Sequence, residues 1–550
     1  MAQDIGDFMR LKNSKKTQQI SSPSEQNGKK KPSQLLLNEG LEAGNNYFKK
    51  SLDQNKKIIK DIVGETSDLI EHELVLSSDP LIKGVVFSIN GLVDKQQVGQ
   101  FILKTLLDDK LKEKLVSSKS SLLQKIEKQI LTVNEVTLET ESDKTIHALL
   151  SGKSILFIDG IDQAFICATI GGEWRSVEEP TAEIAIRGPK DGFIESMSIN
   201  ISLIRRRIKS PKMKFEVIQL GKVSQTNVAI TYMKGIANAK VVQEVRDRLN
   251  KIDVDEILSS ASVEELIQDK AFTLFPTMLS TERPDVVANS LAEGRIAVIV
   301  DGTPFVLIAP VTFSQFFKSA EDYYQRPEIS SLIRILRYIA FTLALLGPSL
   351  FIALLMFHQD LIPTTLVITL AAQREGIPFP AFIEAFIMEV TFEILREAGL
   401  RMPRAIGQAV SIVGALVIGQ AAVEAGIVSA AMVIVVAGTA IASFTTPAYN
   451  LAVSARILRF GMMILAATMG LYGVTLGLIV LIAHLASLRS FGTPYLAPFA
   501  PFIPEDQKDG LFRFPLWSRK KKSILSNENN PLDTEKGLNA TQPSETGDTK

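Results

Sequence analysis

Between Ala405 and Ala455 the chain carries one formal charge, Glu424, and between Phe460 and Leu488 it carries none. About 20 apolar residues already span the hydrocarbon core of a bilayer, so stretches this long do not read as core helices of a water-soluble protein. Before Tyr338 the sequence has the mixed charged and apolar character of an ordinary soluble chain. The split predicts an α/β cytoplasmic N-terminal region followed by an all-α polytopic membrane domain.

The 60 Lys and Arg balance the 60 Asp and Glu, so overall charge gives no reason to expect nucleic acid as a partner. Cys167 is the only cysteine, which rules out an intrachain disulfide and suits a reducing, cytosolic setting for the soluble region. The first residues, Met1-Ala2-Gln3-Asp4-Ile5-Gly6-Asp7, lack the apolar run of a signal peptide. Residues 1–45 are rich in Lys, Ser, Gln and Asn, with Lys29-Lys30-Lys31, and read as a disordered polar arm.

From 46 to 320 helical and strand patterns alternate. Apolar residues at helical spacing (Ile58, Ile59, Ile62, Val63, Leu69, Ile70) predict a helix over 52–74, and 84–89 reads as a strand. Further helices are expected over 98–107 and 111–131 and around Val241, Val242, Val245, Leu249 and Ile252. One pattern occurs twice. Ser151-Gly152-Lys153-Ser154-Ile155-Leu156-Phe157-Ile158-Asp159-Gly160 is echoed by Glu293-Gly294-Arg295-Ile296-Ala297-Val298-Ile299-Val300-Asp301-Gly302. Each predicts a β-hairpin turning at or near Asp-Gly. Two such hairpins predict two α/β subdomains, 46–190 and 191–320, joined near 194–208.

The membrane domain is expected over 321–490, with hydrophobic segments at 338–357, 379–395, 406–423, 427–444 and 461–488, and a polar C-terminal tail over 491–550. Gly347-Pro348 is expected to kink the first segment, and 361–372 is too short to cross. Arg334 and Arg337, then Arg396, Arg401 and Arg404, then Arg456 and Arg459 fall on one side if segments two to four each cross. That side is the cytoplasm by the positive-inside rule. A return of the last segment as a hairpin would put the basic tail there too, but 461–488 is short for two crossings, so the side of the C-terminus stays open.

Gly152-Lys153-Ser154 is not a phosphate loop, because His147 stands where the motif needs its first glycine and a strand follows rather than a helix. His72, His147, His358 and His484 are far apart, with no metal-ligand spacing. No nucleophile–base set or dinucleotide signature is present, so neither catalysis, a cofactor nor a metal is expected. Gly407, Ser411, Ala415 and Gly419 form a small-residue stripe, and Gly473 and Gly477 a shorter one; both suit close helix packing, within a subunit or between copies. Intramembrane carboxylates are costly and are functional candidates. Glu384, Glu389, Glu393 and Glu424 are therefore candidates for an ion path. Glu389 and Glu393 share a helix face and Glu384 lies opposite Glu393. The other readings are pairing of Glu389 and Glu393 with Arg396 or a neighbouring subunit and, for Glu424 at its loop, a solvated turn.

Several stretches together resemble the A subunits of bacterial spore germinant receptors. In the soluble region they are Arg187-Gly188-Pro189-Lys190-Asp191-Gly192-Phe193, Arg205-Arg206-Arg207, Thr281-Glu282-Arg283-Pro284-Asp285 and Val300-Asp301-Gly302-Thr303-Pro304-Phe305. In the apolar half they are Arg374-Glu375-Gly376-Ile377-Pro378-Phe379-Pro380, residues 407–416 and Leu485-Ala486-Ser487-Leu488-Arg489-Ser490-Phe491-Gly492. The resemblance covers about 46–505. It implies a subunit of a nutrient-responsive receptor in the spore inner membrane, with a transporter-like B subunit and a lipoprotein C subunit as partners. It also implies a homo-oligomer that forms or gates an ion path. A sporulation-stage paralogue of the same architecture, and a transporter or scaffold subunit without its own conductance, are the alternatives.

Overall fold

In the computed structural model, residues 47–78, 81–107, 135–171, 180, 183, 185–402 and 417–515 are described. The expected arm over 1–45, the expected helix over 111–131, most of the stripe (Gly407, Ser411, Ala415) and the end of the tail lie outside them.

The first helix, α1 (Leu52–Val63), buries Leu52, Ile58, Ile59 and Val63 and ends at Gly64, whose φ of 67° is left-handed. The helix expected over 52–74 is therefore half its predicted length. Beyond Gly64 the period changes from helical to two, and the chain continues as strand β1 (Leu69–Ser78), with Leu74 and Leu76 buried. Strands β2 (Leu81–Ile89), β3 (Val136–Glu139), β4 (Ser154–Ile158) and β5 (Ala164–Cys167) complete a five-stranded antiparallel sheet in the order β1-β2-β4-β5-β3. Helix α2 (Ser142–Leu150) and α1 cover one face through Ile59, Ile146 and Leu149, while Ile102 and Leu106 cover the other. Cys167 is buried in β5, and burial pushes its thiol up to about 12.

A second five-stranded antiparallel sheet has the same order, β6-β7-β9-β10-β8. Its strands are β6 (Met213–Leu220), β7 (Thr226–Met233), β8 (Leu279–Thr281), β9 (Ile296–Val300) and β10 (Val306–Ala309). Helices α3 (Met197–Arg207), α4 (Ala239–Asn250), α5 (Ser260–Ile267) and α6 (Pro284–Ala292) pack against it. The two recurring hairpins are β4–β5 and β9–β10, each in its own sheet, with Gly160 and Gly302 in the turns at φ 85° and 86°.

The duplication extends to individual hydrogen bonds. Asp159 Oδ1 accepts from Leu52 N at 3.2 Å, and Asp301 Oδ1 accepts from Met197 N at 2.9 Å, so each Asp-Gly turn caps the first helix of its own copy. Asn55 bonds both backbone polar groups of Lys49, and Asn200 does the same to Ile194. The copies are joined by Arg205, fully buried, whose guanidinium meets Asp68 through Nε at 2.9 Å and Nη2 at 3.0 Å.

The remainder is helical: α7 (Pro327–Phe357), α8 (Thr364–Arg374), α9 (Ala381–Arg401), α10 (Ala430–Phe444) and α11 (Tyr449–Ser487). Helix α7 runs through Pro348 without interruption, and a Cβ on Gly347 would lie 2.6 Å from Thr439 Cγ2 of α10. Only α7 and α11 among the described helices are long and apolar enough to cross a membrane. Gly470 is non-helical inside α11 (φ 64°, ψ −141°) and folds it into two antiparallel legs. A Cβ on Gly473 would lie 2.2 Å from Leu465 O, and one on Gly477 2.7 Å from Met462 Sδ, so these glycines let the legs touch. The segment expected over 461–488 thus holds the end of the first leg, the turn and the second leg of a helical hairpin that begins at Tyr449, with legs roughly 30 and 25 Å long at 1.5 Å per residue.

Candidate functional site

Charged groups in the helical part are paired through its interior. Glu389, 1 % exposed on α9, accepts from Arg459 Nη1 of α11 at 2.6 Å and from Thr439 of α10 at 3.3 Å. Arg459 also donates to Ala344 O of α7, so one ion pair ties four helices. Glu384, fully buried, accepts from Arg374 Nε at 3.0 Å and from Ser429 N at 2.9 Å. Glu393 takes Arg396 one turn along its own helix and Arg456 Nη1 of α11 at 3.2 Å. Glu424 is exposed and accepts from Gln420 at 2.9 Å. The four carboxylates share no common site: three face cations within the chain, and Glu424 lies at the 425–426 turn. Of the small-residue stripe, Gly419 is described, and a Cβ added there would lie 3.5 Å from Val433 Cγ1.

A second network joins the α/β region to the helices. Asp322, 2 % exposed, lies in a short 3-10 turn (Ala320–Tyr323) fixed by a capping box on Ser319. It accepts from Arg334 Nε and Nη2 at 3.2 and 3.0 Å and from Arg337 Nη1 at 2.8 and 2.9 Å, both on α7. Arg334 also donates to Asp509 O at 2.8 Å, and Asp509 accepts from Lys318 and Tyr323 at 2.9 Å. Arg334 and Arg337, read from the sequence as markers of orientation, are buried here. Their partners were not legible, because Asp322 and Asp509 sit in irregular segments, the latter in the polar tail. The available signal was stoichiometric: a buried arginine needs a carboxylate somewhere.

The end of α11 is clipped to the second sheet. Ser490 Oγ donates to Thr277 O at 2.7 Å and accepts from Val311 N at 3.0 Å, and Tyr495, fully buried, donates to Pro276 O at 2.8 Å. Arg248 of α4 lies 4.5 Å above the Phe491 ring. The start of α11 meets the same region, since Ser454 donates to Leu274 O. Both ends of the hairpin therefore lie on the α/β side.

Between these contacts is a cavity of about 420 Å³. Its walls are the β8–α6 edge with Arg283, the turn at Gln315 and Lys318, the end of α9 with Arg396, and the start of α11 with Arg456. Glu183 lines it as well, accepting from Thr281 at 2.6 Å, and burial raises its carboxyl to about 7. Arg283 is held by Asp285 at 2.8 Å and by two backbone carbonyls.

Among the described residues no group of three His, Cys, Asp or Glu is placed to hold a metal. Paired charges bridging rigid elements suit mechanical coupling, in which a shift of the helices is passed to the two sheets. The fold and these joints define a duplicated α/β region clamped to an apolar helical bundle. The family described as the Bacillus/Clostridium GerA spore germination protein matches residues 57–524, and the chain belongs to that family. It is 51 % identical over 472 residues to spore germination protein KA of Bacillus subtilis, covering 86 % of each chain. It is 40 % identical to spore germination protein A1 of the same organism, covering 88 % of this chain and 98 % of that one. It is 44 % identical to the uncharacterized membrane protein YfkQ, again of B. subtilis, covering 80 % and 84 %. A crystal structure of the N-terminal domain of the A subunit of the Bacillus megaterium germinant receptor GerK3 matches 48 % of this chain and 97 % of that one, at 37 % identity and a TM-score of 0.39.

Proposed function

We propose that the chain is the A subunit of a spore germinant receptor, with a multi-pass helical domain in the spore inner membrane and the α/β region in the cytoplasm. The observation that carries the membrane reading is inverted polarity. Ile434, Ile441, Phe444 and Tyr472 are 67–73 % exposed on the helices, while Glu389 and Arg459 are each 1 % exposed. Lipid favours that arrangement and water does not. Arg334, Arg396 and Arg456 cluster at the end of the bundle nearest the sheets, which supports a cytoplasmic α/β region. The family membership supports the role in germination, with a transporter-like subunit and a lipoprotein subunit as partners.

In this reading several copies surround an axis and gate an ion path. Glu424 is the candidate ring residue, being exposed with only Gln420 as its hydrogen-bond partner among the described residues, and rings of carboxylates favour cations. Glu384, Glu389 and Glu393 hold α9 to the bundle as the assembly opens. The test is potassium release from vesicles carrying the complete receptor. Glu424→Gln should assemble normally and alter the rate or cation selectivity of release. Wild-type release from an assembled Glu424→Gln receptor removes Glu424 from the path, and a wild-type receptor that releases no ions overturns the ion-path reading.

A further inference from the structure

The joint cavity has a property that coupling alone does not explain. Arg396 and Arg456 reach it from two different helices and are 13 % and 12 % exposed. Their ion pairs both end on one carboxylate, Glu393, so two guanidinium groups share a single negative charge. Arg456 Nε is buried and has no hydrogen-bond partner. Across the cavity, Lys318 and Arg283 are each paired with a carboxylate outside the Glu393 cluster, Asp509 and Asp285. Glu183, the acid on the wall itself, is pushed up to about 7 by burial, so near neutral pH it offsets only part of the excess. The cavity is therefore cationic on its helical side.

Its rim is apolar. Leu400, Phe444 and Tyr449 line the opening and are 64, 69 and 62 % exposed. At about 420 Å³ the space falls within the range of small-molecule sites. A basic pocket between helices at the level of the α/β region, with an apolar mouth opening along the helix surface, matches one ligand chemistry. That chemistry is a phosphate attached to a hydrocarbon chain.

We infer that this cavity is a binding site for the phosphate of an acidic lipid headgroup, held by Arg396 and Arg456, with the acyl chains leaving over Leu400 and Phe444. The inference rests on the membrane reading above. A lipid seated there touches α9, α11, the Lys318 turn and the β8–α6 edge at once, so its occupancy would stiffen the joint through which the helices act on the sheets.

The experiment is native mass spectrometry of the detergent-purified full-length protein incubated with phosphatidylglycerol, phosphatidylcholine or inorganic phosphate. Retention of phosphatidylglycerol should exceed that of phosphatidylcholine at least about tenfold, and the preference should fall at least about fivefold in Arg456→Gln and Arg396→Gln. Arg456→Lys should keep most of it. Arg401→Gln, altering an 80 % exposed arginine on α9 beyond Arg396, should change nothing. Ala452→Glu removes no arginine and sets a carboxylate in the cavity wall, so its loss of lipid would not reflect misfolding from a missing arginine. Equal retention of the two lipids, a preference that survives both Gln variants and Ala452→Glu, or retention of inorganic phosphate in place of lipid overturns the assignment. Carbonate extraction of the wild-type chain from membranes separates the two failures. A chain that stays with the membrane yet shows no headgroup preference refutes only the site.

Discussion

Replacing Asp322 by Asn should loosen the joint between the α/β region and α7 far more than it alters the rest of the protein. The carboxylate receives four guanidinium contacts between 2.8 and 3.2 Å and is 2 % exposed, and Arg334 beside it is fully buried. Asn keeps the size and one acceptor oxygen but removes the charge. Arg334 retains the carboxylate of Asp509, with Oδ1 at 3.2 Å, whereas Arg337 loses its carboxylate partner and keeps only neutral acceptors, the Asn oxygen and the Phe317 carbonyl at 3.0 Å. Breaking a buried pair from one side costs about 3–5 kcal/mol. The lower end applies because Asp509 remains, and about 3 kcal/mol is roughly a hundredfold in the local opening equilibrium. Hydrogen exchange of the amides from Ser319 to Ser330, in the purified full-length protein, reads that opening directly. Asp322→Asn should accelerate these amides roughly a hundredfold while those of β9 and β10 stay protected. Adding Arg337→Met removes the stranded cation and should recover part of the loss. Lys222→Gln breaks an exposed pair (64 % and 74 % exposed) and should cost under about 1 kcal/mol. Acceleration by Asp322→Asn of less than about fivefold, or no greater than in Lys222→Gln, would refute the view that the network holds the joint.

Two further outcomes follow from the same geometry. Gly470→Ala should lower the melting temperature of the detergent-solubilised protein. A φ of 64° with ψ −141° is close to glycine-only backbone, and the added Cβ would lie 2.9 Å from His358 Cε1 and Phe357 Cβ. An unchanged melting temperature would mean that the two legs of α11 are not held in this hairpin. Glu264 on α5 is pushed by burial from about 4.5 to about 7. The folded chain therefore binds more protons than the unfolded chain between those values, and stability falls as pH rises through that window, by at most about 1.4 kcal/mol per unit. Glu264→Gln should remove this slope, leaving the variant more stable than wild type in chemical denaturation at pH 8 but not at pH 4. Parallel pH profiles for the two proteins would show that Glu264 does not titrate in this way.

The contrast between the charged first part and the nearly uncharged second was enough to separate an α/β region from an apolar helical one. Each Asp-Gly hairpin was legible too, because a turn and its flanking strands are set by residues a few positions apart. The ion pair of Glu393 with Arg396 belongs to the same local class, at three residues' separation on one helix. What lay beyond the sequence were choices among distant partners. Glu389 meets Arg459 across 70 residues, Arg205 meets Asp68 across 137, and Arg334 meets Asp509 across 175. Hydropathy and spacing constrain a residue against its neighbours three or four positions away, whereas a buried charge is satisfied by whichever opposite charge the packing delivers. The helix predicted over 52–74 failed for a related reason: Leu69 and Ile70 continue the helical spacing of Ile58, Ile59, Ile62 and Val63, and only the left-handed turn at Gly64 and the pairing of β1 with β2 decided against it. The fold back at Gly470 was decided in the same way, by close contact between two legs that carry no charge from Phe460 onward.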